Sequence, residues 1–95
     1  MAEMRILQTP SFKKTVKKLK SNQKTDLDKT IRHLASEPLS GESKKGDLAF
    51  LRVYKFKMAG QLTLLGYSHE EACLVLELIA LGNHENFYRD MKRQL

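Results

Sequence analysis

Near residue 50 the hydrophobic period of this chain changes from 3.6 to 2, which commits it to a helical layer packed on a sheet. Upstream, Phe12, Val16 and Leu19 recur at i, i+4 and i+7, and Leu27, Ile31 and Leu34 repeat the pattern. Downstream, Phe50–Met58 is rich in β-branched and aromatic residues, with Tyr54 and Phe56 alternating against Lys55 and Lys57. Neither layer can bury its apolar side alone.

Local signals place the boundaries. Residues Met4–Leu7 read as an edge strand. Thr9 is an N-cap followed by Pro10 at the first helical position, where a missing N–H costs nothing. Ser21-Asn22 breaks this first helix and caps a second over Gln23–Ala35, its antiparallel neighbour. A polar loop opening with Glu37-Pro38-Leu39-Ser40-Gly41 runs to Asp47. Ala59-Gly60 reads as a tight hairpin turn leading to a strand at Gln61–Tyr67. Ser68-His69-Glu70-Glu71 reads as another turn, and Cys73–Leu81 as a central strand of nearly continuous apolar character. Asn83 then caps a short helix over His84–Arg93. The expected order is β-α-α-β-β-β-α in one domain spanning residues 1–95. This is an α+β fold, with a helical hairpin on a three- to four-stranded, mainly antiparallel sheet and a short C-terminal helix.

Composition narrows the function classes. Seventeen Lys and Arg against eleven Asp and Glu give +6, a field that attracts polyanions, nucleic acid first and acidic protein surfaces second. A single cysteine, Cys73, allows no intrachain disulfide and suits a reducing cytoplasm. No basic leader with an apolar stretch opens the chain. The longest apolar run, Ala72–Leu81, includes Glu77 and is far short of a membrane span, so a cytoplasmic protein with no membrane partner is expected. There is no Walker loop, dinucleotide fingerprint, zinc pattern or serine-nucleophile motif, and no cofactor or metal is expected. His69 with Glu70 and Glu71 lacks metal-ligand spacing, His33 reads as a surface residue, and Cys73 reads as a small core hydrophobe.

Two stretches carry a family resemblance: Leu51-Arg52-Val53-Tyr54-Lys55-Phe56, and Leu81-Gly82-Asn83-His84-Glu85-Asn86-Phe87-Tyr88-Arg89-Asp90. With the element order, they make essentially the whole chain resemble the RelE/ParE toxin superfamily of type II toxin–antitoxin systems. The resemblance implies one of two activities. RelE-like members cleave messenger RNA in the ribosomal A site, whereas ParE-like members inhibit DNA gyrase and usually lack the RNA-cleaving residues. Either kind is neutralised by a cognate antitoxin, expected to lay an acidic, amphipathic segment over the basic sheet and screen His84. A third reading is an inactive toxin serving in a repressor complex.

RNA cleavage through the 2′-hydroxyl needs a base, cations for the phosphorane and an acid for the leaving 5′-oxygen. His84 titrates near neutrality and falls on the first turn of the last predicted helix, where backbone N–H groups favour phosphate. Tyr88, four residues on, shares its helical face and looks like the superfamily's C-terminal tyrosine, which stacks on or activates the substrate. Packing is its competing role, and Phe87 competes for that core position. Arg52 resembles the phosphate-clamping arginine of the central strand. In many members that arginine stands three residues before the strand tyrosine; Arg52 stands two before Tyr54, which moves a strand side chain to the opposite face. Lys44, Lys45, Lys55, Lys57, Arg89, Lys92 and Arg93 resemble the superfamily's RNA-binding cations, and the lysines of the first helix read as solvated, though a ribosomal or gyrase contact would also use them.

Overall fold

The computed structural model describes residues 5–46, 51–70, 75–83 and 87–88. Seven elements follow in the order β1 (Arg5–Gln8), α1 (Pro10–Lys17), α2 (Ser21–Ser36), β2 (Glu42–Ser43), β3 (Arg52–Met58), β4 (Gln61–Glu70) and β5 (Val75–Gly82). The strands form one sheet ordered β1-β5-β4-β3-β2. Every pairing is antiparallel except β1 with β5, which is parallel. The expected α+β sandwich is present, with one more strand than the periodicity shows. Strand β2 is only two residues long, too short to display alternation, and exists because Glu42 and Ser43 pair with Val53 and Arg52.

Thr9 starts α1 as the sequence predicts. Its Oγ1 accepts the Phe12 N–H at 3.2 Å and donates to the Ile79 carbonyl at 2.9 Å, fastening the helix start to β5. Helix α2 begins earlier than expected. Ser21 and Asn22 lie inside its first turn because Gln23 reaches back, its Oε1 accepting the Lys20 N–H at 2.7 Å. The hairpin turn holds Ala59 at φ 50 and Gly60 at φ 83. Ala59 sits there against its preference, and Asp26 of α2 braces it by accepting its N–H at 2.8 Å.

The turn expected at Ser68–Glu71 is a correction. Strand β4 continues to Glu70, with Ser68 opposite Glu77 and His69 opposite Leu76. Cross-strand backbone bonds satisfy the chain there whatever the side chains, so polar residues do not end the strand. A register shift between Gly66 and Tyr67 leaves Ile79 as the extra residue, with Gly66 facing Ala80 and Tyr67 facing Leu78. The expected last helix is seen at Phe87 and Tyr88, where the Phe87 N–H donates to the Asn83 carbonyl at 2.9 Å. Cys73, Glu71, His84, Arg89, Lys92 and Arg93 lie outside the described residues.

The sheet is covered on both faces. Helices α1 and α2 bury Phe12, Leu27 and Leu34 against Met58, Leu65, Tyr67 and Leu78, with Tyr54 and Phe56 at the margin. On the reverse face Leu51, Val53, Leu64, Ile79 and Ala80 form a second cluster capped by Phe87. The two faces therefore differ in kind. One is roofed by a helical pair, the other, among the described residues, by Phe87 with Tyr88 beside it.

Candidate functional site

The reverse face is where candidate residues meet. Strand β4 contributes Gly66, and a side chain there would come within 2.6 Å of the Phe87 ring tip, so only glycine leaves room for Phe87 to lie on the sheet. Phe87, at 1% exposure, anchors the last turn. Tyr88 follows it half-buried, its ring edge-on to Phe87 at 5.1 Å between centroids and 80° between planes. The sequence left these two aromatics competing for the core. Phe87 takes it and Tyr88 lies at the border of the same cluster.

Lys44 arrives from the other side of the sheet's edge. The pairing of β2 with β3 and the bond from the Lys44 N–H to the Leu51 carbonyl at 3.0 Å hold its backbone beside β3. Its ammonium stands 5.5 Å from the centre of the Tyr88 ring and 3.8 Å from a Glu42 carboxylate oxygen. The Tyr88 hydroxyl is the main cause holding the Lys44 ammonium above its ordinary pKa; partial burial opposes it, and the charges of Tyr88 and Glu42 assist. Lys44 is therefore a fixed cation at neutral pH and cannot serve as a base. Alternation along β3 puts Lys55 and Lys57 on this same face as Val53, both exposed. Lys57 pairs across the ladder with Leu62, whose side chain is 54% exposed. Lys45 is exposed next to Lys44 in the chain.

Arg52 is not brought to this group. It shares the parity of Tyr54, Phe56 and Met58, which face the helices, as its spacing from Tyr54 foreshadowed. Its guanidinium donates to the Gly41 carbonyl at 2.8 Å and approaches that of Leu39 at 3.5 Å. The buried Tyr67 completes the anchor. Its hydroxyl donates to the Pro38 carbonyl at 2.7 Å and accepts the Gly41 N–H at 2.9 Å. Burial raises the Tyr67 pKa, with the Gly41 bond and Arg52 opposing. A Cβ on Gly41 would fall 2.6 Å from that hydroxyl, so this glycine permits the close approach. Arg52 and Tyr67 thus pin the segment that leads into β2 and Lys44.

Sequence reasoning did not single out the Lys44–Tyr88 pair, because a two-residue strand pairing places Lys44 and has no local signal. Among the described residues no group of three or more His, Cys, Asp or Glu side chains is placed to hold a metal ion. No helix formed by the described residues is long and apolar enough to cross a membrane.

Residues 6–92 match the family model for the ParE-like toxin of type II bacterial toxin–antitoxin systems. The chain belongs to this family. Two solved structures share the toxin's fold. The free state of a double arginine-to-alanine mutant of the E. coli toxin RelE superposes with a TM-score of 0.71 at 18% identity, over 90% of this chain and 87% of that one. A chain of the intact E. coli RelBE toxin–antitoxin complex superposes with a TM-score of 0.67 at 21% identity, over 86% of this chain and 96% of that one. No curated protein matches the sequence. The resemblance read from the strand and C-terminal motifs is thereby confirmed: the chain is a member of the ParE-like toxins of type II systems, with the fold that RelE also has.

Proposed function

We propose that this toxin is a metal-independent, ribosome-dependent messenger-RNA endonuclease of the cytoplasm, silenced by a cognate antitoxin. The observation that carries the reading is the fixed Lys44 ammonium against Tyr88 on a lysine-bearing sheet face. In the reaction a base takes the 2′-hydroxyl proton, the 2′-oxygen attacks phosphorus, and the 5′-oxygen leaves with a proton. His84, four residues before Tyr88, is assigned the proton transfer. Tyr88 stacks on or donates to the substrate. Lys44 supplies a permanent positive charge for the phosphorane oxygens, and Lys55 and Lys57 hold flanking phosphates with Lys45, Arg89, Lys92 and Arg93. Arg52 enters through Gly41, as a positioning residue for the Lys44 segment rather than a phosphate clamp. The antitoxin reading is supported by the same face, where exposed Leu62 beside Lys57 suits an acidic, amphipathic segment.

The test is tightly induced expression followed by primer extension on a reporter transcript. Wild type is expected to cleave at in-frame sites. His84→Ala should lose about 10²–10⁴-fold of that cleavage, and Lys44→Met about 10²–10³-fold. Toxicity that persists in both variants with transcripts intact would sink the endonuclease reading. The ParE-like alternative, gyrase inhibition without RNA cleavage, would then be assayed by DNA supercoiling; the family model's own description favours it as the second reading.

A further inference from the structure

Helices α1 and α2 lie on the opposite side of the sheet from Lys44 and Tyr88 and carry a separate concentration of charge. Lys13, Lys14, Lys17, Lys18, Lys20 and Lys24 are all exposed, and no Asp or Glu occurs between Met4 and Thr25. Among the described residues none of these six ammonium groups is paired with a carboxylate. Lys13 with Lys17 on α1, and Lys14 with Lys18 at its C-cap, stand four residues apart, an arrangement that destabilises a helix by self-repulsion. The inward stripe of Phe12, Val16 and Leu19 accounts for the packing of α1, and nothing in that packing asks for lysine outside.

We infer that the outer face of the α1–α2 hairpin is a second nucleic-acid surface, which grips the phosphate backbone of folded, double-stranded RNA without reading its sequence. The chemistry of the patch selects this occupant. The large exposed apolar side chains, Ile6, Leu7, Leu39 and Leu62, all lie outside the hairpin, whereas a protein interface needs an apolar centre and is depleted in lysine. No Phe, Tyr or Trp is exposed on α1 or α2, and the exposed ring of His33 already lies 5.5 Å from that of Tyr54, so a single strand gains little beyond its charge. A duplex turns its phosphates outward, and lysine meets these as a mobile point charge that fixes position rather than sequence. The choice of RNA over DNA rests on the endonuclease reading of the other face. Two basic surfaces back to back let the toxin hold a structured RNA with its helices while the sheet face addresses a strand.

The experiment measures anisotropy of a fluorescein-labelled RNA stem-loop titrated with the full chain at several salt concentrations. Lys13→Glu combined with Lys14→Glu is expected to weaken binding at least about tenfold at low salt, with a plot of log affinity against log salt flatter by about two or more. The same variant should melt close to the wild-type temperature, because each new glutamate precedes a lysine by four residues, which offsets the loss of Lys14 from the last turn of α1. Loss of RNA affinity with stability kept is therefore the signature. Unchanged affinity and salt slope would overturn the proposal. So would equal competition by polyglutamate of matching charge, or tighter binding of a DNA duplex of the same sequence. None of these readouts involves cleavage, so failure of the endonuclease reading in the transcript assay is a separate result.

Discussion

Lys44 shows how one side chain can be tuned without deep burial. Its side chain keeps about a quarter of its exposure, yet the Tyr88 hydroxyl and Glu42 together favour the ammonium strongly enough to raise its pKa. A lysine whose folded pKa lies above its unfolded value adds stability that is fully present below the ordinary lysine pKa of about 10.4. That contribution disappears as pH rises through the folded value. Lys44→Met should therefore lower the melting temperature by an amount constant from neutral pH to about pH 10, and the gap should close above it. A gap that stayed the same at every alkaline pH would mean that the charge on Lys44 adds no stability. Lys44 also illustrates what sequence withholds. Its type and approximate role were readable from the resemblance, but its partner was not, because Tyr88 lies more than forty residues away in the chain.

The stretch Pro38–Gly41 after α2 is anchored from behind, through Tyr67 and Arg52. Tyr67→Phe keeps the buried ring and removes one hydroxyl, leaving the Gly41 N–H and the Pro38 carbonyl without that partner. It should cost about 1–3 kcal/mol by chemical denaturation, and transcript cleavage should fall although Tyr67 is fully buried on the helix side. Cleavage at the wild-type level in a folded Tyr67→Phe protein would separate this anchor from the site. Elements with strong periodicity were legible in advance: both helices, the Ala59-Gly60 turn and the three long strands were expected close to where they lie. Strand β2 and the extension of β4 to Glu70 were not. Both depend on backbone pairing to strands elsewhere in the chain, which side-chain pattern does not encode. Arg52 was expected beside Tyr88 as a phosphate clamp, and its two-residue spacing from Tyr54 was the local signal that this placement would need a bulge; β3 has none there, and Arg52 shares the parity of Tyr54.

At the scale of the molecule, parallel pairing of β1 with β5 joins positions seventy residues apart, and Thr9 reinforces the join through its bond to Ile79. Thr9→Ala removes both the helix cap and that cross-link. It should lower the denaturation midpoint by the equivalent of about 1–2 kcal/mol with an unchanged denaturant slope. A second transition appearing instead would show that α1 and the sheet do not unfold together. The join also sets a schedule for a chain made from its N-terminus. The strand emerging first has no neighbour until Val75–Leu78 has been synthesised, and contacts of such separation form slowly. The reverse face needs β5 and Phe87 to close it, so no N-terminal length of the chain that stops short of them can present the Lys44–Tyr88 pair.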